Sequence, residues 1–101
     1  MISFTITNNE NYKKQISVMK WSAEGRYYIH INRISQNIED LSDCLKIDKQ
    51  ELKALIINAG GSNLGYTIDF ATREIAREFM DSLEMILILR GDIISDKYPY
   101  E

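Results

Sequence analysis

Ile38-Glu39-Asp40-Leu41-Ser42-Asp43-Cys44-Leu45-Lys46-Ile47-Asp48-Lys49-Gln50-Glu51-Leu52-Lys53-Ala54-Leu55-Ile56 decides the fold, because its apolar spacing writes two short helices joined by one tight turn. Leu41 and Leu45 lie one turn apart, Ile47 fills the joint, and Leu52 and Leu55 restart a helical stripe. Two amphipathic rods must then cross and share one buried seam. Ser35 to Asn37 supplies side chains able to cap the first rod. The second has a sharper start: Asp48 is followed three residues later by Glu51, and Ile47 can staple to Leu52 across the cap. Gly60-Gly61 provides the left-handed residue that closes it.

Upstream the period changes from helical to alternating. Ile2, Phe4 and Ile6 alternate with Ser3, Thr5 and Thr7, which predicts a half-buried strand. Asn8-Asn9-Glu10-Asn11 then has turn chemistry, since Asn tolerates positive φ and bonds its own backbone. Alternation resumes from Lys14 to Trp21, breaks at Ser22-Ala23-Glu24-Gly25, and returns from Arg26 to Ile34. Downstream, Leu64 to Phe70 alternates as a fourth strand, and Ile75, Ala76, Phe79, Met80, Leu83, Ile86 and Leu87 define the longest helix, opening near Thr72. The apolar run at its end has no clear period, so the helix either continues to Leu89 or gives way to a short strand around Ile86 to Leu89. From about residue 92 the chain reads as a polar tail.

The order β-β-β-α-α-β-α predicts an α+β fold: a small antiparallel sheet of about four strands with three helices packed on one face. A length of 101 residues suits one domain, and 45% hydrophobic content with a single proline describes an ordered globule. The first residues show no basic leader ahead of an apolar stretch, and Met85-Ile86-Leu87-Ile88-Leu89 is too short to span a bilayer, so a cytoplasmic location without membrane contact is expected. The apolar excess of Met85 to Leu89, followed by Ile93 and Ile94, exceeds one helical stripe and suggests a homodimer through the C-terminal helix.

Charge is polarised. Residues 1–34 carry a net +3, residues 35–101 a net −6, and the whole chain −3. An acidic helical half is poorly suited to a phosphate backbone and well suited to a basic protein surface.

No constellation fixes a reaction. Gly60-Gly61-Ser62-Asn63-Leu64-Gly65 has the glycines of a phosphate loop, but they follow a helix and enter a strand, the reverse of a phosphate cradle. His30 and Cys44 are single residues with no paired metal-ligand spacing, so no metal, cofactor or catalytic residue is assigned. His30 is expected at the surface beside Tyr28. Glu39, Asp40, Asp43, Glu74, Glu78, Asp81 and Glu84 fall mostly off the apolar stripes, as solvated helix faces do.

The paired helices resemble a helix-turn-helix. With Leu52 inward, Gln50, Lys53, Ala54 and Ile57 turn outward, flanked by Glu51 and Asn58. On DNA, Gln50, Lys53 and Asn58 would read the groove, yet that face has one cation while the first helix adds Glu39, Asp40 and Asp43. Ala54 beside Ile57 fits a protein contact better. Trp21 and Tyr28, with Lys20 and Arg26, interleave aromatic and basic groups in the second hairpin and add two anchor residues.

Abundant Ile, Asn, Lys and Tyr match an AT-rich coding sequence, and short acidic domains from such sources are often accessory proteins of mobile elements. The resulting expectation is a non-enzymatic protein-binding inhibitor or modulator, of the immunity or phage anti-defence type. It would occupy a basic, nucleic-acid-binding surface of its partner through Trp21, Tyr28, Glu39, Asp40, Asp43, Ala54 and Ile57. The alternative is a helix-turn-helix DNA-binding regulator using residues 38–59.

Overall fold

The computed structural model describes residues 1–21, 25–64 and 67–98. The N-terminal third is a meander: β1 (Ile2–Thr7), β2 (Lys13–Trp21), β3 (Arg26–Ile31) and β4 (Ile34–Ser35). The β1–β2 turn is built by Asn8, whose side-chain oxygen accepts from the Glu10 and Tyr12 amides at 2.9 and 3.1 Å, while Asn11 takes φ 64°. The expected third strand is broken after Ile31. Asn32 and Arg33 both adopt positive φ, which is the geometry of a two-residue turn, and β4 folds back on β3.

The helix pair follows as α1 (Ile38–Leu45) and α2 (Lys49–Ala59). Asn37 caps α1 by accepting from the Asp40 amide at 2.8 Å, and the Asp48 carboxylate accepts from the Gln50 and Glu51 amides. Lys46 closes α1 in the left-handed region. Gly60 closes α2 at φ 96°, and the Gly61 amide reaches back to Ile56 at 2.8 Å. Gly61 is required for a second reason: a Cβ there would lie 2.6 Å from the Phe70 ring. The glycines lead into β5 (Ser62–Leu64), then β6 (Thr67–Phe70), α3 (Arg73–Leu89) and β7 (Ile93–Tyr98). The Ser22–Glu24 turn and Gly65 lie outside the described residues.

The sheet has seven antiparallel strands rather than about four, in the order β5-β6-β3-β2-β1-β7, with β4 beside β3. Most of the expected polar tail is therefore a strand. Residues 93–98 pair along β1, with the register broken between Ser3 and Thr5 and Asp96 at φ 51°. The last helix stays helical through Leu89.

Register separates the two faces. Phe4 pairs with Ile16, Ile16 with Ile31 and Val18 with Ile29, and all five are buried on one face. Helical side chains meet that face: Phe79 stacks on Phe70 at 5.1 Å, and Ile38, Leu41, Leu52, Ile56 and Leu83 join the same cluster. Burial of these apolar side chains is the main force holding the layers together. Ser3, Ser17 and His30 sit side by side on the other face, paired across β1, β2 and β3. His30 is only 5% exposed, with its Nδ1 3.2 Å from the Tyr28 carbonyl oxygen, so the sequence-based surface placement is corrected.

Candidate functional site

α2 and α3 lie antiparallel. Gly60 at the end of α2 faces Ile75 near the start of α3, while Arg90, just past α3, donates to Leu45 and Lys46 at the other end. Their outward faces form one surface, joined by α1.

On α2 that surface presents Gln50, Glu51, Ala54, Ile57 and Asn58, all exposed; Ile57 is 65% exposed. Lys53 is half-buried, so the one cation expected on the outer face is partly withdrawn. Glu39, Asp40 and Asp43 are exposed on α1, and Lys49 is paired with Glu39. On α3, Glu74, Glu78, Asp81, Met85 and Ile88 follow one another at helical spacing and are all exposed. Glu74 and Glu78 belong to the end of α3 that meets the end of α2, where Gly60 faces Ile75. Ala54 and Ile57 are thus exposed on α2 with Glu51, and further exposed carboxylates stand on α1 and α3.

The hairpin anchors are elsewhere. Tyr28 is half-buried on the sheet face opposite the helices, paired with Met19 and Asp69, and Arg26 binds Asp69 at 2.7 Å. Trp21 ends β2 opposite Arg26, and its side chain lies outside the described residues. Of the ten residues singled out in the sequence, the nine with described side chains divide between two faces. Glu39, Asp40, Asp43, Gln50, Lys53, Ala54, Ile57 and Asn58 share the helical side, and Tyr28 does not.

A cavity of about 320 Å³ opens where the β1–β2 turn meets the ends of α1 and α3, lined by Ile6, Tyr12, Lys14, Cys44, Lys46 and Arg90 among others. Sequence reasoning missed it, because its cations come from distant segments. The Lys14 ammonium donates to the Cys44 carbonyl, and Arg90 donates to the Leu45 carbonyl at 2.6 Å and to Lys46 at 3.2 Å. α1 has no basic residue in its last turn, so these two side chains supply its C-terminal cap. Arg90 also binds Asp92, whose side chain is 7% exposed.

Among the described residues, no three His, Cys, Asp or Glu side chains gather as a metal set, and no helix is long and apolar enough to cross a membrane. Compared with known protein families, with curated proteins and with solved structures, the chain matches none of them.

Proposed function

We propose that the chain is a non-enzymatic protein-binding modulator of the immunity or phage anti-defence type, working in the cytoplasm by covering a basic surface of its partner. The observation that carries this reading is Ile57: a large apolar side chain, 65% exposed, next to exposed Ala54 on a helix pair rich in exposed carboxylates. Interfaces commonly have this anatomy, with an apolar centre that excludes water and a charged rim that steers and selects. Glu39, Asp40, Asp43, Glu51, Glu74 and Glu78 would provide the rim, and Tyr28 would add contacts only for a partner large enough to reach the sheet's other face. The DNA-regulator alternative receives less support, since phosphate affinity depends on cations and this face holds few that are unpaired and fully exposed.

Capture from a lysate of the source cells, run with the wild type, Ile57→Glu and Asp40→Lys/Asp43→Lys in parallel, tests the reading. A defined basic protein held by the wild type, lost with Ile57→Glu and weakened by salt supports it. Equal capture by all three variants overturns it. Salt-sensitive binding of a labelled random duplex, abolished by Lys53→Glu, would move the assignment to the DNA-binding alternative.

A further inference from the structure

The cavity beside the β1–β2 turn shares no residue with the surface around Ile57, and the reading above does not use it. Its charge runs against that of the chain. Lys14, Lys46 and Arg90 line it against Glu10 and Asp92, a cationic excess in a protein whose net charge is −3. Asp92 is already neutralised by Arg90 at 2.6 Å. Among the described residues neither Lys14 nor Lys46 has a carboxylate partner.

The Lys14 ammonium is fixed in the cavity wall, since the residue is half-buried and donates to the Cys44 carbonyl, itself part of the lining. One of its three protons is used there and two remain. The same contact answers an objection from the helix. The end of α1 carries negative partial charge, but its Cys44, Leu45 and Lys46 carbonyls already face the Lys14 ammonium or the Arg90 guanidinium, which screen them from a bound anion.

We infer that this cavity binds a nucleoside monophosphate, a single phosphate joined to a flat ring. The nature of the cations selects phosphate. All three Arg90 nitrogens are engaged, with two carbonyls and with Asp92, so the planar two-point grip that suits a carboxylate is already taken. The remaining charge belongs to lysines, compact point charges suited to a tetrahedral anion. Tyr12 and Ile6 select the ring: the first is 64% exposed and offers a face for stacking, the second is buried and supplies an apolar floor. Asn8 commits its side-chain oxygen to the turn amides, which leaves its NH2 group as a donor for a ring acceptor. A volume of about 320 Å³ lies at the lower end of the roughly 300–1,000 Å³ of small-ligand clefts, which suits one nucleotide rather than two. The net negative charge of the chain also opposes a longer polyanion.

Isothermal titration calorimetry of the full chain with adenosine, guanosine, cytidine and uridine monophosphates tests this, with the matching nucleosides and inorganic phosphate as half-ligands. At least one monophosphate should bind with Kd on the order of 10–100 µM, about tenfold tighter than either half. Tyr12→Ala should weaken it about tenfold by removing the stacking ring. Lys14→Gln should do the same while keeping a donor for the Cys44 carbonyl, and Lys46→Gln, at an exposed position, should weaken binding with an unchanged thermal melt. Amide shifts on binding should gather at residues 8–14, 44–46 and 90–92. No heat from any monophosphate at about 5 mM overturns the inference, as does binding that all three variants leave unchanged. A nucleoside as tight as its monophosphate overturns the phosphate assignment, and inorganic phosphate as tight as the nucleotide overturns the ring.

Discussion

Replacing Arg90 with Met keeps most of the aliphatic stem and removes the guanidinium, which isolates its polar role. Three groups lose a partner. The carbonyls of Leu45 and Lys46 lose donors at 2.6 and 3.2 Å, and the Asp92 carboxylate loses contacts at 2.6 and 3.1 Å. Hydrogen bonds to a charged group contribute about 1.5–3 kcal/mol, and stranding a buried acceptor costs about 1–3 kcal/mol. Arg90 is about a third exposed and water can replace part of what is lost, while Asp92 is nearly enclosed. Discounted for that exposure, the substitution should destabilise the fold by about 2–3 kcal/mol. Equilibrium urea denaturation should show the midpoint falling at constant slope, since the same surface is exposed on unfolding. The companion variant Arg90→Met/Asp92→Asn removes the stranded charge and should recover about 1 kcal/mol. Amide exchange in α1 should accelerate more than in α2, because α1 is the helix whose end Arg90 caps. A loss below about 0.5 kcal/mol, or no recovery in the double variant, would refute the capping argument.

Gly61→Ala should cost about 1–3 kcal/mol, seen as a lower thermal midpoint, because its new methyl must displace the Phe70 ring. Asp48→Ala removes the acceptor for two amides at the start of α2 and should lower stability by about 1 kcal/mol in the same measurement. Lys97→Met leaves the Glu84 carboxylate without its β7 partner. It should cost about 1–2 kcal/mol at neutral pH, and adding Glu84→Gln should return part of that. Ile57→Glu should change the stability by less than about 0.5 kcal/mol while abolishing partner capture, separating surface function from folding.

Local chemistry was legible in the residues. Asn37, Asp48 and Gly60 cap the two short helices as their types and positions suggest, and the alternation in Ile2–Thr7 and Arg26–Ile31 marks real strands. The outward set on α2 followed from the helical angle, with Lys53 the partial exception. What stayed hidden depends on partners distant in sequence. Ile93–Tyr98 has little alternation of its own and becomes a strand by hydrogen bonding to β1. The caps from Lys14 and Arg90 reach α1 across 30 and 45 residues, and no local pattern announces them. His30 was misplaced because alternation assigns a face but cannot say how fully that face is covered. The Ile86–Leu89 ambiguity resolved as helix, and Met85, Ile88 and Leu89 face outward.

The pairing of β7 with β1 has a consequence for the order of synthesis. β1 leaves the ribosome ahead of every other strand of this sheet, yet one of its two hydrogen-bonding edges is satisfied only by a strand made some ninety residues later. During that interval β2 can protect one side while the other stays open, with Ile2, Phe4 and Ile6 awaiting helices that have not yet been made. Nascent chains halted before residue 93 would therefore carry an apolar strand with one open edge, a template for association between unfinished copies. Completion of β7 closes that edge, and its bulge at Asp96 makes the new outer edge a poor template in turn.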